Sequence, residues 1–477
     1  MSNNDIKQII ENTLKACSDP EIYSNVMKDF FTKGIEKPSI ILKSLGTNLP
    51  NLKEKEIKNN IEKNIEKIKS FIFKELTGLD LYKALSCIYG AFFGDALGAF
   101  CEFTKYSDKN YRAIFNKTPV FGGEKGQVTD DSEMSMSFAY AIMDNPLKED
   151  IDVNYLYFYY GAWSKSNPVD IGNTTKKAFS KFDFQEFNPK NKKFESVEKF
   201  IFDSNKNSLS NGFLMRKSTF IVWVYYRFYG DVNKAFSGIN NNKLLIELYE
   251  KIKKLSNIDN KCTNPNHEAD AVSAFYCLFV LGALVGLRSI GIIDKIVTLC
   301  KDSYFQKKEE DNPDKYVCKF ITFFVDKFKE NNFNHIKFFG DKDSKGCIND
   351  KQIGWYGHSF KLTLYYLINF ELYEKNPFRT IMDEICNFGG DTDTNACIVG
   401  CVIGPLVGMK NFGDKFDKVI SLIPKNRAIY SILLMVPYVF YLKYSNRNDK
   451  FIKDEHYFLR TILTLIYDTF DLDYTKK

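Results

Sequence analysis

The sequence predicts an all-α protein, and two observations support that prediction. Apolar and polar residues seldom alternate strictly along the 477 residues, as they do in half-buried strands. The apolar segments are long instead, which is typical of helices. We therefore expect one helical domain over about residues 79–472, with charged insertions near 181–209 and 301–351, preceded by a helical extension over residues 1–78.

The composition limits the classes of function to be considered. A hydrophobic fraction of 44% with 16% aromatic residues is ample for a large core. The net charge is only +6, and eight of the 66 basic residues are arginine, the residue best suited to forked phosphate contacts. We therefore expect no nucleic-acid partner.

Cysteine and histidine usage indicates a reducing compartment. The 11 cysteines include no Cys-x-x-Cys pair, and the four histidines are widely spaced, so a zinc site is not favoured. The first residues are polar and mixed in charge, unlike a signal peptide. The apolar run over 271–287 contains polar residues and glycines, which favours a buried helix over a membrane span. We expect an intracellular, cytoplasmic protein without a membrane partner.

The opening region carries one amphipathic stripe. Isoleucines and a leucine recur there at spacings of three and four, at Ile57, Ile61, Ile65, Ile68, Ile72 and Leu76. This pattern predicts a helix that packs on the main body. The alternative is a partner-binding or self-associating helix, since the stripe also resembles a coiled-coil seam.

The next predicted helix, residues 79–103, has a glycine at every fourth position, Gly90, Gly94 and Gly98. Each glycine costs a helix about 1 kcal/mol relative to alanine, so this face indicates the close approach of another helix or of a ligand. Asp95 within the helix and Glu102 just after it have functional potential.

A glycine-rich loop leads into Thr129, Asp130 and Asp131, and a helix is predicted from Ser132 onward. Acids at a helix N-terminus are favoured by the helix dipole and can also cap the helix. Capping explains one or two of these acids, but it does not explain a second acidic stretch of the same kind.

That second stretch is Gly389-Gly390-Asp391-Thr392-Asp393-Thr394-Asn395, directly before an uncharged run. The glycine pair allows a sharp turn, after which Asp393 or Thr394 suits the N-cap of a helix. Acids at this density favour a cation, and oxygen ligands suit Mg²⁺, Mn²⁺ or Ca²⁺.

The middle of the chain offers weaker signals. The lysine- and asparagine-rich segment 181–209 predicts a surface excursion, and Asn211-Gly212 predicts a turn before a helix over 218–229. A loop at 262–268 contains His267, a residue type that more often caps a helix than catalyses. Further helices are predicted from 354–359 onward and over 427–442 and 451–471.

Together the two acidic stretches and Glu102 can form one oxygen-lined site. The candidate ligands are five carboxylates and two hydroxyls, from Glu102, Asp130, Asp131, Asp391, Asp393, Thr129 and Thr394. Two divalent ions bring a charge of +4 against −5, whereas one ion leaves a strongly repulsive cluster. Paired metals can hold a substrate oxygen and lower the pKa of a bound water.

These residues resemble the ADP-ribosylglycohydrolase family, typified by the dinitrogenase reductase-activating glycohydrolase. The resemblance runs from about residue 79 to 409 and rests on six motifs in the family order: GAFFGDALGAFCEF (90–103), GQVTDDSEM (126–134), DIGNTT (170–175), SNGFLMR (210–216), TNPNH (263–267) and FGGDTDTNA (388–396). Each motif alone is weak, but six in this order are specific.

The resemblance implies a compact all-α fold that holds two Mg²⁺ or Mn²⁺ ions. Matching the motifs residue by residue gives the metal ligands Thr129, Asp130, Asp131, Asp391, Asp393 and Thr394. The resemblance implies two candidates for proton transfer, Glu102 and a metal-bound aspartate such as Asp131. It also makes the 210–216 loop a wall of an ADP-ribose cleft, with Asn211, Gly212, Phe213, Met215 and Arg216 as candidate contacts.

One motif departs from the family pattern. Many members have Thr-His-Pro where this chain has Thr263-Asn264-Pro265. A histidine able to contact the ligand is therefore absent there unless His267 replaces it, which bears on substrate preference more than on metal binding.

The leading hypothesis is metal-dependent hydrolysis of the N- or O-glycosidic bond at ribose C1 of an ADP-ribosylated protein or a small ADP-ribose conjugate. One alternative is a metal-dependent hydrolase of another nucleotide-like substrate. The other is a non-catalytic ADP-ribose-binding or structural relative. The sequence does not indicate which linkage is cleaved or the oligomeric state.

Overall fold

A computed structural model describes residues 80–105, 117–123, 126–144, 151–165, 168–183, 187, 194–238, 242–344, 346–348 and 350–412. The predicted extension (1–78) and the predicted helices over 427–442 and 451–471 lie outside these residues. The described part of the chain is helical and contains no strand, only an isolated bridge between Ser210 and Trp355. The predicted all-α class is confirmed.

Seventeen α-helices and two short 3₁₀-helices (Phe370–Leu372 and Met409–Asn411) occur within the described ranges. In chain order the α-helices are α1 (Asp80–Gly98), α2 (Asp130–Asp144), α3 (Val153–Ser164), α4 (Asn173–Ala178), α5 (Glu195–Asn205), α6 (Gly212–Met215), α7 (Lys217–Arg227), α8 (Tyr229–Ser237), α9 (Asn242–Asn260), α10 (His267–Leu284), α11 (Ser289–Cys300), α12 (Ser303–Gln306), α13 (Pro313–Phe328), α14 (His335–Gly340), α15 (Tyr356–Ile368), α16 (Pro377–Phe388) and α17 (Thr392–Val407).

Helices α1 and α17 pack backbone against backbone, which explains the glycine face of α1. A methyl group on Gly94 would lie 2.1 Å from the carbonyl oxygen of Ala396, and one on Gly98 would lie 2.4 Å from that of Thr392. Gly90 makes the same kind of approach to α17 one turn earlier. Since real Cβ atoms do not come so close, only glycine permits this contact. The contact brings the end of α1 next to the start of α17.

Helix α10 lies in the core. It is the one described helix that is long and apolar enough to span a membrane, yet 89% of its 18-residue window is buried inside the protein. The prediction of a buried helix over 271–287 is therefore confirmed, although the helix begins earlier, at His267, where the Asn266 side chain accepts a hydrogen bond from the backbone N of Ala269.

The charged segment 301–351 is less peripheral than its composition indicates. Its described residues form α12, α13 and α14, and α13 buries Ile321, Val325 and Phe328 in the core. Lys319 and Asp326 are exposed on the other side of α13, as in an amphipathic helix, whereas Asp314 and Lys315 are buried. The assignment of this segment as an insertion stays a prediction.

Candidate metal and substrate site

The two acidic stretches meet where α2 and α17 begin. Carboxylate oxygens of Asp95, Asp131 and Asp393 lie within 4.8 Å of one another, and so do those of Glu102, Asp391 and Asp393. All five side chains are buried, and Asp393 belongs to both groups. Residues from three separate parts of the chain therefore form one continuous acidic cluster.

Asp95 fixes the start of α2 from the neighbouring helix. Its two oxygens each lie 3.0 Å from the backbone N of Thr129, and Oδ2 also accepts from the backbone N and the hydroxyl of Ser132, at 3.2 and 2.5 Å. A carboxylate of α1 thus satisfies the free N–H groups at the N-terminus of α2. Asp95 is not among the ligands predicted from the sequence, although a lone acid on a glycine face is a signal that the sequence contains.

The Thr129 hydroxyl links the two stretches. It lies 2.9 Å from Asp95 Oδ1, 3.0 Å from Asp131 Oδ2 and 3.5 Å from Asp393 Oδ2. One hydroxyl can donate only one hydrogen at a time, so its lone pairs remain available as acceptors for a cation.

The glycine turn before α17 places Asp391 beside Glu102. Gly389 and Gly390 have φ values of +73° and +76°, a region that favours glycine. The backbone of Gly390 accepts a hydrogen bond from Phe103 N (2.7 Å) and donates one to Thr104 O (3.0 Å). This pairing holds the segment after Glu102 against the turn.

Asp391, rather than Asp393 or Thr394, is the N-cap residue of α17, and its side chain makes no capping hydrogen bond. The predicted N-cap position is therefore corrected. The Asp391 carboxylate instead accepts a hydrogen bond from the Asn211 amide, with 2.6 Å between Nδ2 and Oδ2. Capping alone does not explain this acid.

Burial raises the pKa of every carboxylate in the cluster. The pKa of Glu102 rises to about 10, first because of burial and then because of repulsion from Asp391 and other acids. Burial also raises the pKa of Asp95 to about 6, although hydrogen bonds from Thr129 and Ser132 oppose the increase. Burial likewise raises the pKa of the remaining members, Asp131, Asp391 and Asp393, and that of the neighbouring Asp130. A protein that buries so many acids stabilises them with protons or with a cation.

The donor set fits a divalent cation. Asp131 Oδ1 is buried and has no hydrogen-bond partner, although buried polar oxygens are usually paired. The surrounding donors are carboxylates and hydroxyls, the ligands that Mg²⁺ and Mn²⁺ prefer. Thr129, Asp130, Asp131, Asp391, Asp393 and Thr394 are therefore able to hold such ions.

A cleft of about 800 Å³ opens beside the cluster. Its walls include four acids and three of the predicted substrate contacts, namely Glu102, Asp130, Asp170, Asp391, Asn211, Gly212 and Met215. Clefts of about 300–1,000 Å³ are typical of small-molecule sites.

Asp170 is a further acid of this cleft that the site prediction omitted. It lies two residues before Gly172, whose backbone N donates to Asp130 Oδ2 at 3.1 Å. Burial raises the pKa of Asp170, and repulsion from Asp391 adds to the increase. Asp170 belongs to the DIGNTT motif, but the sequence predicts no site role for it.

Three predicted substrate contacts do not line the cleft. Phe213 is buried in the core with its ring 5.8 Å from that of Tyr356, and Arg216 is buried in an ion pair with Asp259. The His267 side chain is 84% exposed and lies 3.6 Å from Asp270. These corrections share one reason: membership of a loop motif does not determine where each side chain of the loop lies.

Asn264, the residue that departs from the family pattern, is buried and braces a cleft wall. Its amide nitrogen lies 3.2 Å from both Ser208 O and Ser210 Oγ. These contacts connect the loop before α10 to the loop before α6, so the side chain serves the shape of the wall.

Comparisons with known proteins show the family of this chain. The family model of ADP-ribosylglycohydrolase matches residues 78–418. A protein of Acanthamoeba polyphaga mimivirus named "Putative ADP-ribosyl glycohydrolase" is 28% identical over 336 residues, which cover 68% of this chain and 86% of that protein. The ADP-ribosyl-[dinitrogen reductase] glycohydrolase of Rhodospirillum rubrum is 31% identical over 112 residues, 22% of this chain and 37% of that enzyme.

Among solved structures, a chain of an ADP-ribosylglycohydrolase-related protein complex is similar with a TM-score of 0.46 and 15% identity, over 76% of this chain and 99% of that chain. The family model covers well over half of the sequence and includes both acidic stretches. The chain therefore belongs to the ADP-ribosylglycohydrolase family, a membership that supports a hydrolase activity that removes ADP-ribose.

Proposed function

We propose that this protein cleaves the glycosidic bond at ribose C1 of ADP-ribosylated proteins or small ADP-ribose conjugates, with two Mg²⁺ or Mn²⁺ ions held in the acidic cluster. The observation that carries this proposal is the convergence of buried acids beside a cleft of about 800 Å³. The names of the two similar glycohydrolases support ADP-ribose as the group released.

The charge of the cluster favours two ions over one. With Asp95 and Asp170, which are not among the predicted ligands, seven carboxylates converge on the site: Asp95, Glu102, Asp130, Asp131, Asp170, Asp391 and Asp393. The charges that act most strongly on Glu102 are those of other carboxylates. A single divalent ion would leave most of this repulsion in place.

Metal ions in such a site hold substrate oxygens and make a bound water more acidic. The residues of the chain supply the rest. Cleavage at C1 passes through a positively charged, oxocarbenium-like sugar, which a cleft walled by carboxylates stabilises. Asn211 restrains the Asp391 carboxylate through its 2.6 Å hydrogen bond, so the geometry of this wall exists before substrate binds.

Glu102 is the best placed residue to move a proton. It lines the cleft and is buried, and with the metal ions balancing the charge of the neighbouring acids its carboxylate can accept a proton when a water attacks C1. Asp131 is the alternative, since its Oδ1 has no hydrogen-bond partner and can accept a proton.

We further propose an intracellular, cytoplasmic location. All ten cysteines within the described ranges are free and buried, as expected of thiols that pack as small apolar residues in a reducing compartment. We expect neither nucleic acid nor membrane as a partner.

The test is the release of ADP-ribose from arginine-modified and serine-modified protein, with Mg²⁺ and with a chelator. We expect release from at least one substrate, dependent on the metal and abolished in Asp391→Asn. Metal-dependent hydrolysis of another nucleotide instead would favour the alternative hydrolase. Binding of ADP-ribose without turnover would favour a non-catalytic relative.

A further inference from the structure

Beneath the cleft lies a buried charged cluster that the proposed chemistry does not use. Arg216 and Lys217 are both fully buried, and both pair with the carboxylate of Asp259. Arg216 Nε lies 3.2 and 3.3 Å from the two oxygens of that carboxylate. Removing two cations from water is costly, so a buried pair of this kind often serves a purpose other than stability.

The two cations differ in what else they contact. Arg216 Nη1 donates to the backbone carbonyl of Gly212 at 3.0 Å, whereas Lys217 Nζ donates to Asn260 Oδ1 at 3.1 Å. Gly212 lines the cleft, but Asn260 does not. Only the arginine therefore connects the buried cluster to the wall of the substrate site.

The contact with Gly212 bears on a predicted metal ligand. Gly212 directly follows Asn211, whose amide donates to Asp391 Oδ2 at 2.6 Å. The backbone of Asn211 is held from another side, because its N donates to Gly354 O at 2.8 Å. The Asn211-Gly212 turn is thus held on one side by the loop before α15 and on the other side by Arg216.

The guanidinium itself is held firmly. Its Nη2 donates to the backbone carbonyl of Asp259 at 3.1 Å, and the Tyr160 ring lies 4.9 Å from its central carbon. The Tyr160 hydroxyl donates to Asp259 Oδ1 at 2.6 Å. A planar fork with fixed partners gives the Gly212 carbonyl one defined position.

We infer that Arg216 is a positioning residue: it holds the Asn211-Gly212 turn so that Asn211 keeps Asp391 oriented for a divalent cation. This inference rests on the metal site of the proposed function. It assigns to Arg216 an indirect role in place of the substrate contact that its motif predicted. Partners that orient a metal ligand typically change metal affinity by about 10–100-fold when they are lost.

Arg216→Gln and Lys217→Gln form a matched pair for the test. Each variant removes one of two buried cations and leaves Asp259 with the other, so both are expected to lower the melting temperature. Only Arg216→Gln also removes the bond to Gly212. We expect it to weaken Mn²⁺ binding, measured by calorimetry on chelator-treated full-length protein, at least tenfold more than Lys217→Gln does. Its kcat should fall more than its KM rises.

Two further variants test the proposed route if Arg216→Gln does not fold. Arg216→Lys keeps the charge but lacks the planar fork, and Asn211→Ala removes the next step of the chain of contacts. If Arg216 and Asn211 both act through Asp391, the loss of Mn²⁺-binding free energy in the double variant Arg216→Lys/Asn211→Ala is smaller than the sum of the losses in the two single variants.

Equal Mn²⁺ affinities in Arg216→Gln and Lys217→Gln, or additive losses in the double variant, would overturn the inference and leave the proposed function intact. A wild-type protein that binds Mn²⁺ but releases no ADP-ribose would overturn the proposed function, while the Mn²⁺ comparison still decides the role of Arg216. A wild-type protein that binds no divalent ion would overturn both.

Discussion

Substitution of Gly94 by alanine tests the helix contact on which the site depends. The added methyl group would lie 2.1 Å from the carbonyl oxygen of Ala396 and 2.4 Å from its carbonyl carbon. Nonbonded carbon contacts are optimal at about 3.5–4.0 Å, so α1 and α17 would have to separate by more than about 1 Å. Neither atom belongs to a flexible side chain that could rotate away.

The magnitude follows from two opposing effects. Alanine favours the helix over glycine by about 1 kcal/mol, whereas overpacking a core typically costs about 1–3 kcal/mol and sometimes more. Because the clash here is with backbone, we expect Gly94→Ala to lower the free energy of unfolding by about 2 kcal/mol. The control is Gly291→Ala, since a methyl group on Gly291 would meet no atom within 4 Å.

The assay is urea denaturation of both variants, followed by far-ultraviolet circular dichroism. Gly291→Ala should unfold at the wild-type urea concentration or slightly above it, and Gly94→Ala clearly below it. If Gly94→Ala were as stable as Gly291→Ala, the reasoning about backbone contact between α1 and α17 would be refuted.

Three other substitutions test the site and its surroundings. Glu102→Gln should retain ADP-ribose binding but turn over at least about a hundredfold more slowly, because a proton acceptor is lost; an unchanged kcat would remove Glu102 from the chemistry. Asp95→Asn should lower the free energy of unfolding by about 1–3 kcal/mol, because one of the two acceptor oxygens at the start of α2 is replaced by an NH2 donor, and thermal unfolding at an unchanged temperature would contradict this role. Burial lowers the pKa of His358 from 6.5 to about 4, so the unfolded chain binds a proton between these pH values that the folded protein does not. The contribution of His358 to the free energy of unfolding is therefore present above pH 6.5 and is lost as the pH falls toward 4, by up to about 3 kcal/mol. His358→Gln should flatten the dependence of melting temperature on pH in that range.

The parts of the site that follow from local chemistry were predictable from the sequence. Gly94 and Gly98 have no local reason to interrupt a helix, so their spacing indicated a close approach, and the structure shows that approach to α17. The density of acids at 129–131 and 391–393 likewise indicated a shared site, and the carboxylates of Asp131 and Asp393 are in fact neighbours.

The features that the sequence does not predict depend on neighbours that are distant in the sequence. Nothing in the local sequence reveals that Asp95 caps a helix that begins 35 residues later. Arg216 closes a cleft motif, which predicts a ligand contact, yet its guanidinium pairs with Asp259 in the core. The same limit applied to the start of α17, where Asp391 is the cap residue and its side chain bonds to Asn211 rather than to its own helix.

The central claim is that the two acidic stretches form one metal site, and Mn²⁺ binding to Asp393→Asn tests it most directly. Asp393 belongs to both carboxylate groups, so its loss should affect both ions. Asp294→Asn, at an acid whose side chain is 64% exposed, is the control. In calorimetric titrations of chelator-treated protein we predict two Mn²⁺ ions for the wild type and the control, and at least tenfold weaker binding in Asp393→Asn. Unchanged stoichiometry and affinity in Asp393→Asn would contradict the claim.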